Sequence, residues 1–429
     1  MPTKKILKTT LILGAAMCCA QLQASGFALN EQSISGMGLG FAGRSSAAED
    51  ASTVHGNPAG MARLKGQQIT GGAALLNAST HISQVSGNSS GSNKGDMVPL
   101  TAVPFGFYTK TLNEQWAIGL GVYAPFGLVA DYENGFQGKA FGSNSGVKVI
   151  TVQPTVSYAF NERVSVGFGP TLNRMTGTLE SDVNLPIAGT GSNNIKIEGN
   201  DTAWGFNAGV LVQATDTTRL GLTYHSAVKY KLDGHTEVSP GVNVPASLLN
   251  NGRYDASLSI ETPESWDVSI TQDMNDSWKL YAGATWTRWS RLKDITVHNT
   301  GVSAASGGLL APQLVGTIQE EQNWHNTWAY AVGTSYRIAP QWVLRTGLTL
   351  DQSPTNNTDR SPRIPSGDRT IFSLGAGYDI LPNMTLDAAY SYLKEESVKV
   401  NRSNALGQSY SAKFANSAHG FGLGLSYRF

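Results

Sequence analysis

The amino-acid sequence predicts an all-β fold: a 14-stranded antiparallel transmembrane β-barrel with an N-terminal hatch plugging its lumen. Three observations lead there. Only 14% of the 429 residues are charged, against about 25% in soluble domains. Mean hydropathy is nevertheless −0.18, and no run of roughly 20 apolar residues, the length of a spanning helix, occurs beyond residue 24. Second, apolar residues alternate with small or polar ones. Phe421, Leu423, Leu425, Tyr427 and Phe429 interleave with Gly420, Gly422, Gly424, Ser426 and Arg428, and period two sends the two sets to opposite faces. Third, short turns and long polar loops alternate along the chain, the rhythm of a membrane barrel.

The N-terminus comes first. Lys4, Lys5 and Lys8 precede a mostly apolar stretch from Ile6 to Ala20, and Leu22-Gln23-Ala24 forms a small-residue cleavage site. Residues 1–24 therefore read as a secretory signal peptide. Cys18 and Cys19 leave with it, so the mature chain has no disulfide and no cysteine metal site. Losing three lysines changes 31 basic against 31 acidic residues into 28 against 31. That small excess creates no strong steering field and argues against a nucleic-acid partner.

Residues 25–66 lack the strand rhythm. Their apolar Phe27, Leu29, Ile34, Leu39 and Phe41 argue for packing rather than a free tail, and the barrel lumen is the nearest place to pack. This segment is the expected hatch, with Asn57-Pro58-Ala59-Gly60 reading as a tight turn. The barrel occupies 67–429, with strands expected near 67–80, 98–111, 115–125, 145–160, 162–180, 195–215, 217–232, 254–272, 276–293, 322–338, 340–350, 367–380, 383–400 and 410–429. Thr111–Gln115, Phe160–Arg163, Ala214–Thr218, Asp273–Ser277, Ile338–Gln341 and Ile380–Asn383 are short connections, and the intervening ones are long and rich in Gly, Ser, Asn and Asp. Short turns belong on the periplasmic side, which puts both termini there. Trp116, Trp278 and Trp342 each closely follow a short turn, where an interfacial aromatic girdle belongs.

A series of motifs runs through the mature chain in order: Gly26-Phe27…Leu29-Asn30-Glu31, Ser35-Gly36…Gly38, Asn57-Pro58-Ala59, Pro125-Phe126-Gly127-Leu128, Trp266, Trp286…Trp289-Ser290, Arg345-Thr346-Gly347…Asp351 and Pro365…Asp368-Arg369. With these motifs the chain resembles the FadL-type outer-membrane transporters of long-chain fatty acids, a family that also includes aromatic-hydrocarbon channels. The resemblance implies a hatch, including Phe27, Leu29, Asn57, Pro58 and Ala59. It implies passive uptake through apolar outer loops near 81–97, 126–144 and 294–321, and sideways release at an opening in the third strand. Pro125 and Pro154 fit that opening, because each removes a ladder donor that a central strand would normally keep. The expected lateral gate is therefore Pro125, Phe126, Gly127, Leu128 and Pro154, although Pro125 could also simply end its strand.

A fatty acid needs a cation for its carboxylate. Fatty-acid members are expected to carry basic residues at places that read Ser181 and Glu320 here, a departure that raises the odds of a neutral hydrocarbon substrate. Arg345, Arg369 and Arg174 are the remaining candidate lumen cations. Arg345 and Arg369 could equally brace the hatch or barrel against Glu49, Asp50, Asp379 or Asp387, and bracing is slightly favoured. A general hydrophilic porin is the alternative of a different class, and an outer-membrane lipase a third. Gly38-x-Gly40-x-x-Gly43 lacks a βαβ context and Gly87-x-Ser89-x-Gly91 lacks a strand–turn–helix context, so no enzyme is expected. The seven histidines show no metal spacing, and no cofactor is expected. Expected partners are a hydrophobic ligand, outer-membrane lipid and lipopolysaccharide, and the barrel-assembly machinery, for which the terminal Phe429 is the signal implied by the resemblance. A monomer is expected.

Overall fold

The computed structural model describes residues 26–429, so the signal-peptide expectation lies outside the described residues. Fourteen antiparallel strands form one closed sheet. They are β1 (Gln67–Gly87), β2 (Thr101–Thr111), β3 (Trp116–Tyr123 and Gly127–Asp131), β4 (Asn144–Ala159), β5 (Val164–Val183), β6 (Asn193–Gln213) and β7 (Thr218–His225 and Val228–Ser239). The ring continues with β8 (Gly252–Thr262 and Ser265–Asp273), β9 (Trp278–Thr287 and Asp294–Asn299), β10 (Thr317–Glu321 and Thr327–Ala339), β11 (Trp342–Asp351), β12 (Arg369–Leu381), β13 (Met384–Glu395 and Val398–Ser403) and β14 (Ser409–Arg428). Each strand pairs with the next, and β14 returns to β1 from Gln68↔Arg428 to Gly87↔Tyr410. Closure gives each of these strands a paired neighbour on both sides, which is what lipid requires.

The expected alternation sets the two faces. Phe421, Leu423 and Leu425 of β14 are exposed on the outer wall, while Gly420, Gly422 and Gly424 point inward and face Ile34 and Met37. Trp116, Trp278 and Trp342 are all exposed outward just past short turns. Several strands continue beyond their expected ends, through 81–87, 127–131, 233–239, 294–299 and 317–321. In 233–239, 294–299 and 317–321 the outward row is polar, so the outer apolar row that reveals a membrane strand is absent there although the ladder continues.

Residues 27–64 touch every one of the fourteen strands, which is possible only from inside the ring. The contacts run from Ile34 against β14 and Leu39 against β10 and β11, through Tyr281 of β9 and Gly221 of β7 beside Gly43 and Ser45, to Pro58 against β5 and Leu64 against β2. Two short helices, α1 (Ile34–Gly38) and α2 (Thr53–Gly56), order this segment together with a 3-10 turn at Pro58–Arg63. Ser33 caps α1 by accepting from the Gly36 amide at 3.1 Å, which satisfies an otherwise orphaned donor. Asn57–Gly60, expected as a tight turn, is the start of the 3-10 turn. Asn57 accepts from the Ala59 amide at 3.0 Å and donates to the Ser45 and Val210 carbonyls at 2.7 and 3.0 Å.

The close fit depends on glycine. Gly375 of β12 lies so near Gly38 that a Cβ there would stand 2.8 Å from the Gly38 Cα. Similar collisions would follow at Gly167 with Pro58, at Gly209 with Asn57 and at Gly347 with Leu39. A belt of side-chain-free positions on the inner wall therefore lets backbone approach backbone.

Candidate ligand path and its gate

Inward side chains of β4 to β9, Val147, Met175, Leu179, Leu232, Leu258 and Val297 among them, line an apolar chamber. Leu179, Ile197, Ile295 and Val297 also line a second, half-polar chamber toward the long loops, so the two adjoin. The polar groups of that outer chamber centre on Arg363, which is 8% exposed. Its Nε donates to Glu320 at 3.1 Å, Nη2 to Ser181 Oγ at 2.7 Å, and Nη1 to Ser145 Oγ and the Asn144 carbonyl at 2.6 and 3.0 Å. Ser181 and Glu320, the two positions that lack an expected basic residue, thus meet on one guanidinium. Arg363 comes from the loop between β11 and β12, where Tyr132 donates to the Pro362 carbonyl at 2.7 Å. Gly142, at φ +143°, makes room for the Arg363 stem: a Cβ there would lie 2.7 Å from its Cγ. Arg402 lines the same chamber, and its Nε is buried without a partner.

An aromatic group packs in the same core cluster as the chamber residues Met175, Leu232 and Ile260. Phe27 meets Trp289 edge-on at 5.0 Å, Phe126 at 5.7 Å and Trp324 at 6.0 Å, arrangements favoured by ring quadrupoles. At this point β3 is interrupted. Its inner part pairs with β2 only as far as Gly106↔Val122, and its outer part, Gly127–Asp131, pairs only with β4. Three residues, Ala124 to Phe126, stand opposite two of β4, which makes a bulge. The freed backbone turns inward: Leu29 donates to the Pro125 carbonyl at 2.8 Å, and Gly127 donates to the Phe27 carbonyl at 2.8 Å. A bridge between Ala28 and Phe126 completes the contact. The segment 27–29 therefore covers from inside an edge that β2 leaves unpaired.

A model of the family described as outer membrane protein transport protein (OMPP1/FadL/TodX) matches residues 15–429. The chain belongs to that family. A long-chain fatty acid transport protein of Salmonella typhi is 26% identical over 98% of both chains, and outer membrane protein P1 of Haemophilus influenzae is 27% identical over 99% of this chain and 100% of its own. A crystal structure of a Pseudomonas aeruginosa FadL homologue superposes with TM-score 0.83 at 25% identity, covering 94% and 100%. The Pseudomonas putida toluene transporter TodX shares the fold, with TM-score 0.70 at 17% identity over 94% and 99%. The chain is an outer-membrane β-barrel of a family that transports hydrophobic compounds, as the sequence resemblance implied.

The remaining candidate residues have the following surroundings. Arg345 donates to Asp387 at 2.7 Å and lies 3.9 Å from Glu49, joining β11 and β13 to the inner segment. Glu49 also accepts from Tyr281 at 2.7 Å. Its burial opposes ionisation, but Arg345, Lys279 and Tyr281 outweigh that and hold the carboxyl below its ordinary range. Arg369 is buried against Glu395 at 2.6 Å and Asp351 at 3.9 Å. Neither arginine lines either of the two chambers. Arg174 is a correction: it points to the outer wall, hydrogen-bonded to Thr202 and Asn200, because it shares the even-numbered row of Phe168 and Leu172. Pro154 also faces outward, opposite Pro170 of β5, and the β4–β5 ladder lapses from 153 to 155. Two facing prolines offer no N–H between them. Phe27, Leu29, Asn57 and Ala59 are all buried. Sequence reasoning did not find Arg363, whose only local signal is its place between Pro362 and Pro365.

Proposed function

We propose that this protein is a passive uptake channel for long-chain fatty acids. Arg363 carries the reading: a guanidinium, nine-tenths buried, stands at the mouth of an apolar chamber, and a carboxylate is the group that such a fork pairs with best. The acyl chain would lie in the lower chamber above Phe27. Residues 25–66 act as a hatch that blocks water. Displacing Phe27 frees 27–29 from 125–127, and the unpaired β2–β3 edge then releases ligand sideways into the bilayer. The long loops face outward and both termini face the periplasm.

One observation favours a second reading, uptake of neutral aromatic hydrocarbons: Glu320 already neutralises Arg363, and a neutral ligand would leave that pair intact. Uptake of labelled oleate and labelled toluene, in cells lacking other hydrophobic channels, decides between them. Protein-dependent oleate uptake with little toluene uptake is expected. The reverse pattern establishes the second reading, and large steady ion currents in planar bilayers would overturn the hatched channel in favour of a porin.

A further inference from the structure

A polar cavity of about 340 Å³ lies between the inner segment and the wall, far larger than the roughly 30 Å³ that one water occupies. Ala47 and Glu49 of the inner segment line it, with Arg219, Lys279 and Arg337 of the wall. Asp276 and Ser277, from the short turn after β8, line it too, which places it at the short-turn end of the barrel. None of these residues lines the apolar chamber or the outer one.

The acids of this cavity are already engaged. Glu49 accepts from Tyr281 and meets Arg345 and Lys279, and Asp387 accepts from Arg345. Asp379 accepts from Thr385 at 2.6 Å and lies 3.7 Å from Arg337, while Asp50 accepts from Ser35 at 2.7 Å and from the Ser52 amide at 2.8 Å. Asp276 is exposed on its turn. Arg219 differs from the other cations. It projects inward from β7, opposite Thr271 of β8 and two residues before Gly221, and is 8% exposed. Its Nε and Nη2 are buried without a hydrogen-bond partner, and among the described residues no carboxylate pairs with it. A buried guanidinium without an anion is costly. Arg63, which ends the 3-10 turn of the inner segment, is near enough for Arg219 to act on it as a like charge, with Asp273 opposing. Asp273 itself lies 3.8 Å from Lys279.

We propose that Arg219 marks a binding site for a small oxyanion, a phosphate or a carboxylate, that fastens the inner segment to the wall. The oxyanion takes guanidinium N–H groups that the protein leaves unpaired, and its adjacent oxygens suit that planar fork. A monatomic halide offers the fork no second acceptor. The bound anion also offsets the repulsion between Arg219 on the wall and Arg63 on the inner segment. Because the two cations belong to different parts of the molecule, the anion favours the seated inner segment over any state in which residues 45–64 move away. The site stands apart from ligand uptake, and its test uses no hydrophobic ligand.

Isothermal titration calorimetry of the detergent-purified full chain measures binding of inorganic phosphate, of acetate, and of chloride at matched ionic strength. Hydrogen exchange at the amides of residues 45–50 reads seating in the same solutions, and heat-modifiable migration on gels checks that each variant is folded. Wild type is expected to bind phosphate or acetate saturably but not chloride, and the tighter of the two identifies the source. An anion that binds only the seated state slows those amides about tenfold at ten times its Kd. Arg219→Gln is expected to abolish both effects and Arg63→Gln to weaken them. Arg163→Gln, at an exposed arginine of another short turn, keeps them. Arg219→Lys, which retains the charge should the glutamine variant fail to fold, is expected to bind more weakly than wild type. Absence of saturable oxyanion binding by wild type overturns the proposal, as does a chloride response equal to that of phosphate and acetate, or undiminished binding by Arg219→Gln.

Discussion

Gly221 on the inner wall lies directly beneath Ser45, so close that a Cβ would collide with the Ser45 carbonyl. This approach brings the Ser45 amide to within 3.0 Å of Ser269 Oγ, to which it donates, and its hydroxyl donates to Asp267 at 2.5 Å. Gly221→Val is therefore expected to unseat the inner segment. Overpacking of about 1–3 kcal/mol corresponds to a shift of roughly 5- to 150-fold in the ratio of seated to unseated states. Planar-bilayer recordings of the variant should show frequent open events. Gly106→Ala, on β2 where nothing lies within 4 Å, should match wild type. Quiet Gly221→Val channels would refute the argument.

The second expectation concerns the cover on the β3 edge. Phe27 is 2% exposed among Phe126, Trp289 and Trp324, and truncation to alanine costs about 3–5 kcal/mol in such a site. Phe27→Ala should speed hydrogen exchange at the Leu29 and Gly127 amides, whose bonds join the two segments. Amides between β11 and β12 should be unaffected. Unchanged exchange at Leu29 would show that the ring does not hold the cover.

A third expectation separates ligand classes. Removing Arg363 alone would leave the partly buried Glu320 without its cation, so the informative variant is Arg363→Gln with Glu320→Gln. If a carboxylate meets Arg363, the double variant loses a charged hydrogen bond of about 1.5–3 kcal/mol, roughly 10- to 150-fold in oleate affinity. Equilibrium binding of oleate and of its methyl ester measures it. The ester should bind wild type and variant alike, and an equal loss for both ligands would argue for a packing role.

The fourth expectation is a pH dependence of seating. His55 is buried on the inner segment, 4.8 Å from His225 and 4.6 Å from Tyr123. Burial first, then His225 and Arg44, hold its imidazole well below the ordinary histidine range. A depressed value means that the seated state keeps His55 neutral and the unseated state binds the proton. Its support is therefore complete above pH about 6.5 and declines as pH falls below that. Glu49, also depressed, gives way only below the ordinary carboxylate range. Exchange protection at residues 53–57 should fall between pH 7.5 and 5, and His55→Gln should flatten that change. A profile identical in both proteins would remove His55 as the cause.

The strands were legible because each carries an apolar row at period two, and the membrane enforces that row wherever the wall touches lipid. The rule ends where lipid ends, which is why 233–239 and 294–299 read as loop although they pair. Arg174 was misassigned against a signal that was present, since Phe168 and Leu172 already set the parity of its strand. Arg363 had no comparable signal. A loop residue between prolines has no period, and its partners Ser145, Ser181 and Glu320 lie far away in sequence. The glycine count was visible, but that the glycines form a belt opposite Gly38, Leu39, Ser45 and Pro58 was not.

By itself the sequence determined the barrel, the number of its strands, their alternating turns and the family, because lipid imposes one local rule on every strand. Only the tertiary structure decided where the buried Arg363 guanidinium stands, how residues 27–29 cover the broken edge of β3, and that Arg345 pairs with Asp387 and Arg369 with Glu395. Those relationships join residues on different strands and loops, from 26 to 218 positions apart, and only the folded ring brings them into contact.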